Sequence, residues 1–405
     1  MKGGSPLLAA VSVLLALAPS LGAQTQPMPA LPPLDGAAPP RLRPWDYSVA
    51  AGVGWDGNID FVDPHGPRAA TLLPRGAVTR TLRARHGEFR ADAAGRWVGY
   101  AGRPDLRRYY ADLSLDALHH SSPTTDWRAH ASYGIGDTAS SEVLLAQGVA
   151  LPRVKTRSLV AGAGVSTKIG PRASLRAEGR FFRTEFDAPG LVDGNSVRAT
   201  FGLEHRMSAR STVGVEYSLE DVLTSHTGSS YVTHFASLQW SRVLSGRSAV
   251  LLEGGGSHTP EAARAGLDRK DNFFGGASFT RKVALSTLTV FLRREVTPAF
   301  GLGVSRLELR GGLGATVPIG RAWQLRLVAN HAHPQTPRGG ERAYGPGDDA
   351  FASLGRRLGR TLEVSAEVRY RRRGATSTLP AIDAFQAGVF LTLLGPGGSA
   401  LAPVR

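Results

Sequence analysis

The chain has 405 residues, 42% of them hydrophobic, and it carries no cysteine and a formal net charge of +15. The lack of cysteine excludes a disulfide framework as the source of stability. The positive charge, carried mostly by arginine, implies affinity for anionic surfaces or polymers.

Residues 1–23 predict a secretory signal peptide. Lys2 precedes an apolar run over residues 7–17, and the small residues before Gln24 suit signal peptidase. The run is shorter than the roughly 20 residues of a membrane-spanning helix, so an uncleaved anchor is the weaker alternative. Residues 24–45 are rich in Pro and Ala, which predicts an extended periplasmic linker.

From Asp46 onward, apolar and polar residues alternate with the period of two expected of strands. In residues 362–371, Leu, Val, Ala, Val and Tyr share one face, and Glu, Ser, Glu, Arg and Arg share the other. No long amphipathic helical pattern or domain break interrupts the alternation. We therefore predict one all-β domain over residues 46–394, followed by a flexible tail over residues 395–405.

A short turn containing arginine recurs along this domain, for example as LSGRS over residues 244–248. Its copies are about 38 residues apart, with one interval of twice that length. A strand, a tight turn, a second strand and a longer loop account for this period, so the repeating unit is a β-hairpin. The turn arginines are Arg172, Arg210, Arg247, Arg321 and Arg360.

The alternation predicts between sixteen and twenty strands and fits eighteen best, an even number that places both ends of the domain in the periplasm. Pro74 lies within the second of these strands. For residues 141–151 the sequence leaves three alternatives open: an added strand pair, a helix or a long external loop. We favour the loop. The predicted strands are 46–56, 73–85, 88–99, 107–118, 126–136, 156–168, 173–185, 194–206, 211–222, 231–243, 248–257, 271–282, 286–296, 304–317, 322–333, 348–357, 362–373 and 384–394.

A soluble β-sandwich also alternates, with its apolar face inward. Three features favour instead a transmembrane antiparallel up-and-down β-barrel whose apolar face meets lipid. Tight turns alternate strictly with long polar loops, the apolar face is rich in Ala, Gly and Leu, and aromatic residues lie near strand ends. These aromatic residues are Tyr47, Trp55, Trp97, Tyr109, Trp127, Trp240, Trp323 and Tyr370.

A barrel of about eighteen strands has a lumen wide enough for water, and the polar face of this one is rich in arginine. Neighbours such as Arg306, Glu308 and Arg310 can pair with each other, which is the structural alternative. The surplus of arginine over acid favours a channel that attracts and binds anions. The arginines predicted to line the lumen are Arg83, Arg90, Arg108, Arg128, Arg176, Arg180, Arg198, Arg206, Arg306, Arg310, Arg326, Arg369 and Arg371.

Enzyme signatures are weak. The sequence contains no HExxH motif, no nucleophile elbow and no P-loop. The glycine run at 254–256 has no phosphate-binding lysine after it and more readily eases a bend or a close approach within a strand. His331 and His333 share a strand face but lack further metal ligands. We therefore expect no catalytic residues, metal or cofactor, and no nucleic-acid partner.

The repeated hairpins, the aromatic strand ends and the apolar face of the final strand resemble bacterial outer-membrane β-barrels across nearly the whole mature chain. The resemblance implies the cell outer membrane as location, contacts with its lipid and lipopolysaccharide, and insertion by the barrel-assembly machinery. Such barrels usually end on an aromatic residue. Here the last strand ends near Leu394 and a tail follows, so Phe390 is the candidate internal signal.

By strand number and arginine-rich lumen, the chain is also similar to eighteen-stranded barrels proposed as polysaccharide-secretion porins in myxobacteria-like organisms. That similarity implies a periplasmic polysaccharide-export protein as partner. The resulting hypothesis is a channel for anionic solutes or polymer, with polysaccharide export as its most specific form. One alternative is a non-conducting structural or assembly barrel plugged by its loops, which the segment 137–155 would favour by folding inward. The other is an outer-membrane hydrolase.

Overall fold

In the computed structural model the structure describes residues 45–59, 65–138, 154–189, 191–225, 230–300, 303–320, 322–335, 346–375 and 380–395. These residues form nineteen strands in one antiparallel sheet. The strands are β1 (Trp45–Asp56), β2 (Ala69–Leu72), β3 (Arg75–Ala84), β4 (Gly87–Tyr100), β5 (Arg103–Ser122), β6 (Thr125–Asp137), β7 (Lys155–Lys168), β8 (Ala173–Phe186), β9 (Gly194–Ser208), β10 (Ser211–Thr224), β11 (Ser230–Ser245), β12 (Ser248–His258), β13 (Asp271–Val283), β14 (Ser286–Ala299), β15 (Val304–Ile319), β16 (Trp323–Gln335), β17 (Gly347–Arg357), β18 (Leu362–Arg373) and β19 (Ile382–Leu394).

The sheet closes on itself, because β1 pairs with β19 over residues 48–56. β2 and β3 are two parts of one strand position, since β1 and β4 each pair with both of them. The break lies at Leu73 and Pro74, where proline has no N–H to donate to the sheet. The prediction of a closed, eighteen-stranded antiparallel up-and-down barrel is therefore confirmed. Within the described residues, no helix has the length and hydropathy needed to cross a bilayer.

The tight turns and both ends of the domain lie at one end of the barrel, which we call the turn end. The opposite end is the loop end. The predicted strict alternation of tight turns and long loops is wrong at the loop end. There, β4 and β5 are joined by Ala101 and Gly102 alone, and Gly102 has a φ of 73°, which glycine adopts without steric cost. β5 consequently runs farther than the predicted strand.

Several predictions fall outside the described residues. These are the signal peptide, nearly all of the linker, nearly all of the C-terminal tail and most of the segment 137–155. They stay predictions.

The outer face of the barrel is apolar and the inner face is mixed. In β19, Val389 and Leu391 are 53% and 51% exposed, whereas Phe390 and Thr392 between and after them are 5% and 6% exposed. The same two-residue alternation holds around the barrel. Exposed apolar side chains on other strands include Val53, Leu82, Leu113, Leu159, Leu203, Val215, Leu238, Leu252, Leu292 and Leu313.

Exposed aromatic residues ring the outer face near both ends. Trp45 and Trp323 lie at the turn end, where the guanidinium groups of Arg80 and Arg356 stack over their rings at 4.6 and 5.2 Å. Such amphipathic pairs suit a boundary between apolar and aqueous surroundings. The exposed aromatic residues of the loop end include Trp55, Tyr109, Phe273, Tyr370 and Phe385.

The glycine run at 254–256 allows a close approach in the inner wall. A Cβ added to Gly255 would collide with the backbone oxygen of Ala236 and lie 2.8 Å from Cζ of Phe274. Its neighbour Gly254 has nothing within 4 Å of the same position. Gly255 is therefore required for Phe274 to pack against the wall, as the sequence pattern suggested.

We expect Gly255→Ala to destabilise the barrel by about 1–3 kcal/mol through overpacking, and Gly254→Ala to change stability little. The measurement is the temperature at which the purified barrel loses its compact migration in SDS gels. Equal melting temperatures for the two variants would contradict this account of the glycine run.

Candidate functional site: the barrel lumen

All of the arginines predicted to line the lumen lie on the inner face, in phase opposite to the exposed apolar side chains. For example, Arg128 follows the exposed Trp127, and Arg198 follows the exposed Val197. Their surroundings differ between the two ends of the barrel, and this difference divides them into two groups.

At the loop end, the hairpin of β14 and β15 leaves the wall and enters the lumen. β14 pairs with β13 only as far as Arg294, although it continues to Ala299. The tip then contacts strands on a distant part of the wall. The rings of Phe300 and Phe182 stack with centroids 5.5 Å apart, and the hydroxyl groups of Tyr231 and Ser305 are 2.6 Å apart. Because β8 lies six strand positions from β14, the hairpin spans a large part of the lumen.

The loop between β12 and β13 packs against the same hairpin. The Ser305 N–H donates to the Ala265 backbone oxygen at 2.6 Å, and Gly266 lies against Val304. Gly266 has a φ of 75°, which favours glycine at this close contact. The result is an apolar cluster inside the barrel. Its buried members are Val160, Phe182, Phe186, Val222, Tyr231, Phe235, Ala262, Ala265, Leu267, Phe274, Val296 and Phe300.

Sequence reasoning missed this cluster because it treated the polar phase of each strand as facing water. A signal was present in pairs of consecutive apolar residues, such as Phe181–Phe182 and Phe273–Phe274. One member of each pair must face inward in a strand. An apolar residue on the polar phase therefore marks a place where the lumen is filled.

A network of buried charges holds the hairpin, and we call it the hairpin charge network. Arg293 contacts Glu253 at 3.3 Å and Glu295 at 2.9 Å, and Arg310 contacts Glu295 at 3.1 Å. Arg310 also pairs directly with Glu308. Every side chain of this network is at most 10% exposed. Arg310 therefore holds the fold, and Arg306, 3% exposed beside it on β15, is equally buried.

A second buried group lies on β17 and β18. Asp349 accepts from Nε of Arg369 at 2.7 Å and from Nε of Arg371 at 3.4 Å. Nearer the turn end, Arg75 makes a two-point ion pair with Glu367 at 2.8 and 3.1 Å. The same guanidinium stacks 3.9 Å above the ring of Phe390, so that aromatic residue faces the lumen in the folded barrel.

Two more predicted arginines at the loop end are also mostly buried. Arg108 lies 3.7 Å from Asp137, and Arg198 lies 3.7 Å from Glu220 and stacks on Phe235 at 4.4 Å. Arg180 is directly opposite Arg198 in the sheet. Toward the loop end, the predicted arginines are thus mainly part of the internal packing.

Toward the turn end, the arginines face open space. Arg83, Arg90 and Arg176 pair with acidic neighbours, but their side chains stay 54%, 29% and 38% exposed. Among the described residues, no ion pair forms with Arg128, Arg206 or Arg326. We call these residues the vestibule arginines, and no acidic group of the described ranges lies at ion-pair distance from them.

The histidines on β16 belong to the outer surface rather than to the lumen. The rings of His331 and His333 stack with centroids 6.3 Å apart, and His331 contacts Asp348 at 2.7 Å. In the described part of the chain, no group of three or more His, Cys, Asp or Glu side chains is arranged to hold a metal ion.

No protein-family model matches the chain, and no curated protein matches it. Solved structures of Pseudomonas aeruginosa outer-membrane proteins resemble its fold. OccK11 (OpdR) is 13% identical, with a TM-score of 0.45, over 87% of this chain and 96% of that one. The outer membrane protein opdK is 13% identical, with a TM-score of 0.45, over 86% and 98%. The siderophore receptor PirA is 11% identical, with a TM-score of 0.42, over 87% and 81%. At these TM-scores, the fold assignment depends on the strand pairing described above.

We expect Arg310→Met to lower the free energy of unfolding by about 3–5 kcal/mol, because Glu308 would stay buried without its direct pair and Glu295 would keep Arg293 but lose Arg310. Arg83→Met, which breaks an exposed pair, should cost no more than about 1 kcal/mol. Urea-induced unfolding followed by tryptophan fluorescence in detergent micelles measures both. Similar losses in the two variants would show that the hairpin charge network does not hold the hairpin.

Proposed function

We propose that the barrel spans the outer membrane of a Gram-negative cell, with the turn end in the periplasm. The exposed apolar face supports this placement, because water would not favour so much contiguous apolar surface on a soluble protein. Closure of the sheet supports it as well, since a bilayer offers no partner for unpaired backbone groups. Lipid and lipopolysaccharide would then contact the outer face, and the barrel-assembly machinery would insert the chain.

Within that placement, the barrel acts as a passive channel for anionic solutes. The observation that carries this proposal is the set of vestibule arginines, Arg128, Arg206 and Arg326, which lie on the inner wall and form no ion pair in the described part of the chain. A water-filled lumen lined by unbalanced positive charge concentrates anions and repels cations. Arginine also binds carboxylate and phosphate groups with two parallel hydrogen bonds.

The inserted hairpin bears on the size of the solute. With Phe300 against Phe182 and Ser305 against Tyr231, the loop half of the lumen is narrowed by packed side chains. Small anions are therefore better candidates than a polymer in this conformation. Polysaccharide export, with a periplasmic export protein as partner, stays a prediction and requires the hairpin to leave the lumen.

The same hairpin favours a second candidate, a non-conducting barrel with a structural or assembly role. The plug in that case is the hairpin of β14 and β15, whereas the sequence had pointed to the segment 137–155. No observation in the described part of the chain favours a hydrolase, and the expectation of a non-enzyme stays a prediction.

We expect the purified protein in planar bilayers to conduct with a higher permeability for chloride than for potassium. In the double variant Arg128→Glu with Arg206→Glu, the permeability ratio should fall severalfold, because the vestibule would become acidic. Arg183→Glu is the matched control, since Arg183 is 57% exposed on the outer face. Cation preference in the unaltered protein would refute the anion channel.

The variant Phe300→Ala distinguishes the channel proposal from the plugged-barrel proposal. Loss of the ring should weaken docking of the hairpin tip by about 3–5 kcal/mol and raise single-channel conductance. Phe201→Ala is the control, because Phe201 is 59% exposed on the outer face. An unaltered protein that is silent, and that conducts only after Phe300→Ala, would support the plugged barrel instead.

A further inference from the structure

The entry of the hairpin into the lumen interrupts the hydrogen-bonded ladder of the barrel wall. Above Arg294, β13 and β14 share no ladder, although β13 continues to Asp271. On the other side, β15 stays paired with β16 as far as Leu307 and Gln335. The loop-end part of β13 and the facing edge of β14 thus become the two rims of a break in the ladder, which we call the window.

One outward-facing side chain bridges the two rims. Nη1 of Arg294 donates to the backbone oxygen of Phe273 on β13 at 3.1 Å, and Nε donates to Oε1 of Gln335 on β16 at 3.1 Å. The first bond reaches a carbonyl on the part of β13 that has no ladder to β14. Arg294 therefore closes the window with one hydrogen bond, where a ladder would otherwise supply a row of them, and Gln335 holds the guanidinium from the other side.

The wall behind Arg294 is apolar. Val296 has the outward phase of β14, yet it is 7% exposed because it packs inside the barrel with Phe235 and Phe274. Leu307, with the outward phase of β15, packs against the same cluster. The outer flank is apolar as well, since Phe273 is 65% exposed and Leu292 is 53% exposed.

A cavity of about 10 Å³, room for roughly one water molecule, already lies between the inserted hairpin and the wall. Its lining combines apolar groups with two arginines and two acids: Arg198, Glu220, Phe235, Phe274, Arg293, Glu295, Val296 and Pro298. Phe274 and Val296 belong both to the lining of this cavity and to the apolar cluster behind Arg294.

We propose that this window is a lateral portal for a single-chain anionic amphiphile of the fatty-acid type, and that Arg294 is its latch. The acyl chain enters between the rims toward Val296 and Leu307, while the carboxylate takes the Arg294 guanidinium in place of Phe273 and Gln335. A carboxylate is a stronger partner for guanidinium than a neutral carbonyl, so the exchange opens the latch. The portal depends on the proposed membrane placement but not on conduction of anions along the lumen.

The probe that tests the portal is dodecanoate carrying a diazirine at the end of its chain, added to the full-length protein in lipid nanodiscs and activated by light. Peptide mass spectrometry then locates the cross-links. The portal predicts cross-links at Phe274, Val296 or Leu307 that unlabelled dodecanoate competes away. Cross-links confined to outward residues of the apolar belt, such as Leu252 and Leu391, would overturn it.

Variants of the latch sharpen the test. Arg294→Glu should reduce these internal cross-links roughly tenfold, because it removes a charge-assisted hydrogen bond and repels the carboxylate. Arg294→Lys keeps the cation but lacks the guanidinium fork that bonds Phe273 and Gln335 together, so it should label at least as strongly as the unaltered protein. Arg372→Glu, at an exposed outward arginine of the same end, is the matched control and should label normally.

Compact migration in SDS gels shows that each variant is folded. Internal labelling that is equal in Arg294→Glu and the unaltered protein would overturn the assignment of Arg294. Chloride selectivity measured on the same preparations keeps the two proposals apart. A barrel without anion preference that still labels internally refutes the channel alone, whereas a selective channel without internal labels refutes the portal alone.

Discussion

Closure of the hydrogen-bonded sheet between β1 and β19 is the constraint on which the rest of the molecule depends. Once the sheet is closed, each strand has one face toward the outside and one toward the lumen, so the period-two pattern alone assigns every side chain to a surface. The apolar belt, the aromatic rings at both ends and the inward rows of charge are consequences of that geometry. Above Arg294, where the ladder between β13 and β14 ends, a side chain supplies a hydrogen bond to β13.

The same residue type serves two purposes in this lumen. Arg310 and Arg369 are buried against carboxylates, and a buried charge that lost its partner would be costly. Arg128 and Arg206 have no such partner among the described residues and face the wider part of the lumen. The buried arginine pairs and the arginines proposed to attract anions therefore lie in different halves of one barrel. The inserted hairpin marks the boundary between them.

Much of the fold could be predicted from the sequence because its rules are local. β18 occupies the predicted span, Leu362–Arg373. A strand with one face toward lipid-like surroundings and one toward the lumen alternates apolar and polar residues, and this alternation is visible in the sequence. Pro74 signalled an irregular second strand, and the pairing shows it as a break between β2 and β3. The reversal between residues 99 and 107 was also predicted, but its connection is a turn of two residues, Ala101 and Gly102, because β4 and β5 both extend into the predicted loop.

The site was harder to predict for a physical reason. The inward phase of the arginines follows from strand register, but their partners lie on other strands. Arg293 on β14 reaches past β13 to Glu253 on β12, and Phe300 packs on Phe182 six strand positions away. No period along the chain encodes such contacts. Only the folded arrangement distinguishes an arginine that holds the hairpin from one that faces the vestibule.

The seam between β1 and β19 also has a kinetic consequence. Every other strand pairs with a neighbour in sequence, so those hairpins can form one after another at low cost in chain entropy. The seam joins residues from opposite ends of the domain, such as Ala50 and Thr392, and therefore has by far the largest loop-closure cost. Until it forms, two open strand edges invite pairing with other chains. Pairing of the final strand is thus the step that commits the barrel to closure. A chain truncated before this strand would keep an open sheet with unpaired edges that can pair with other chains.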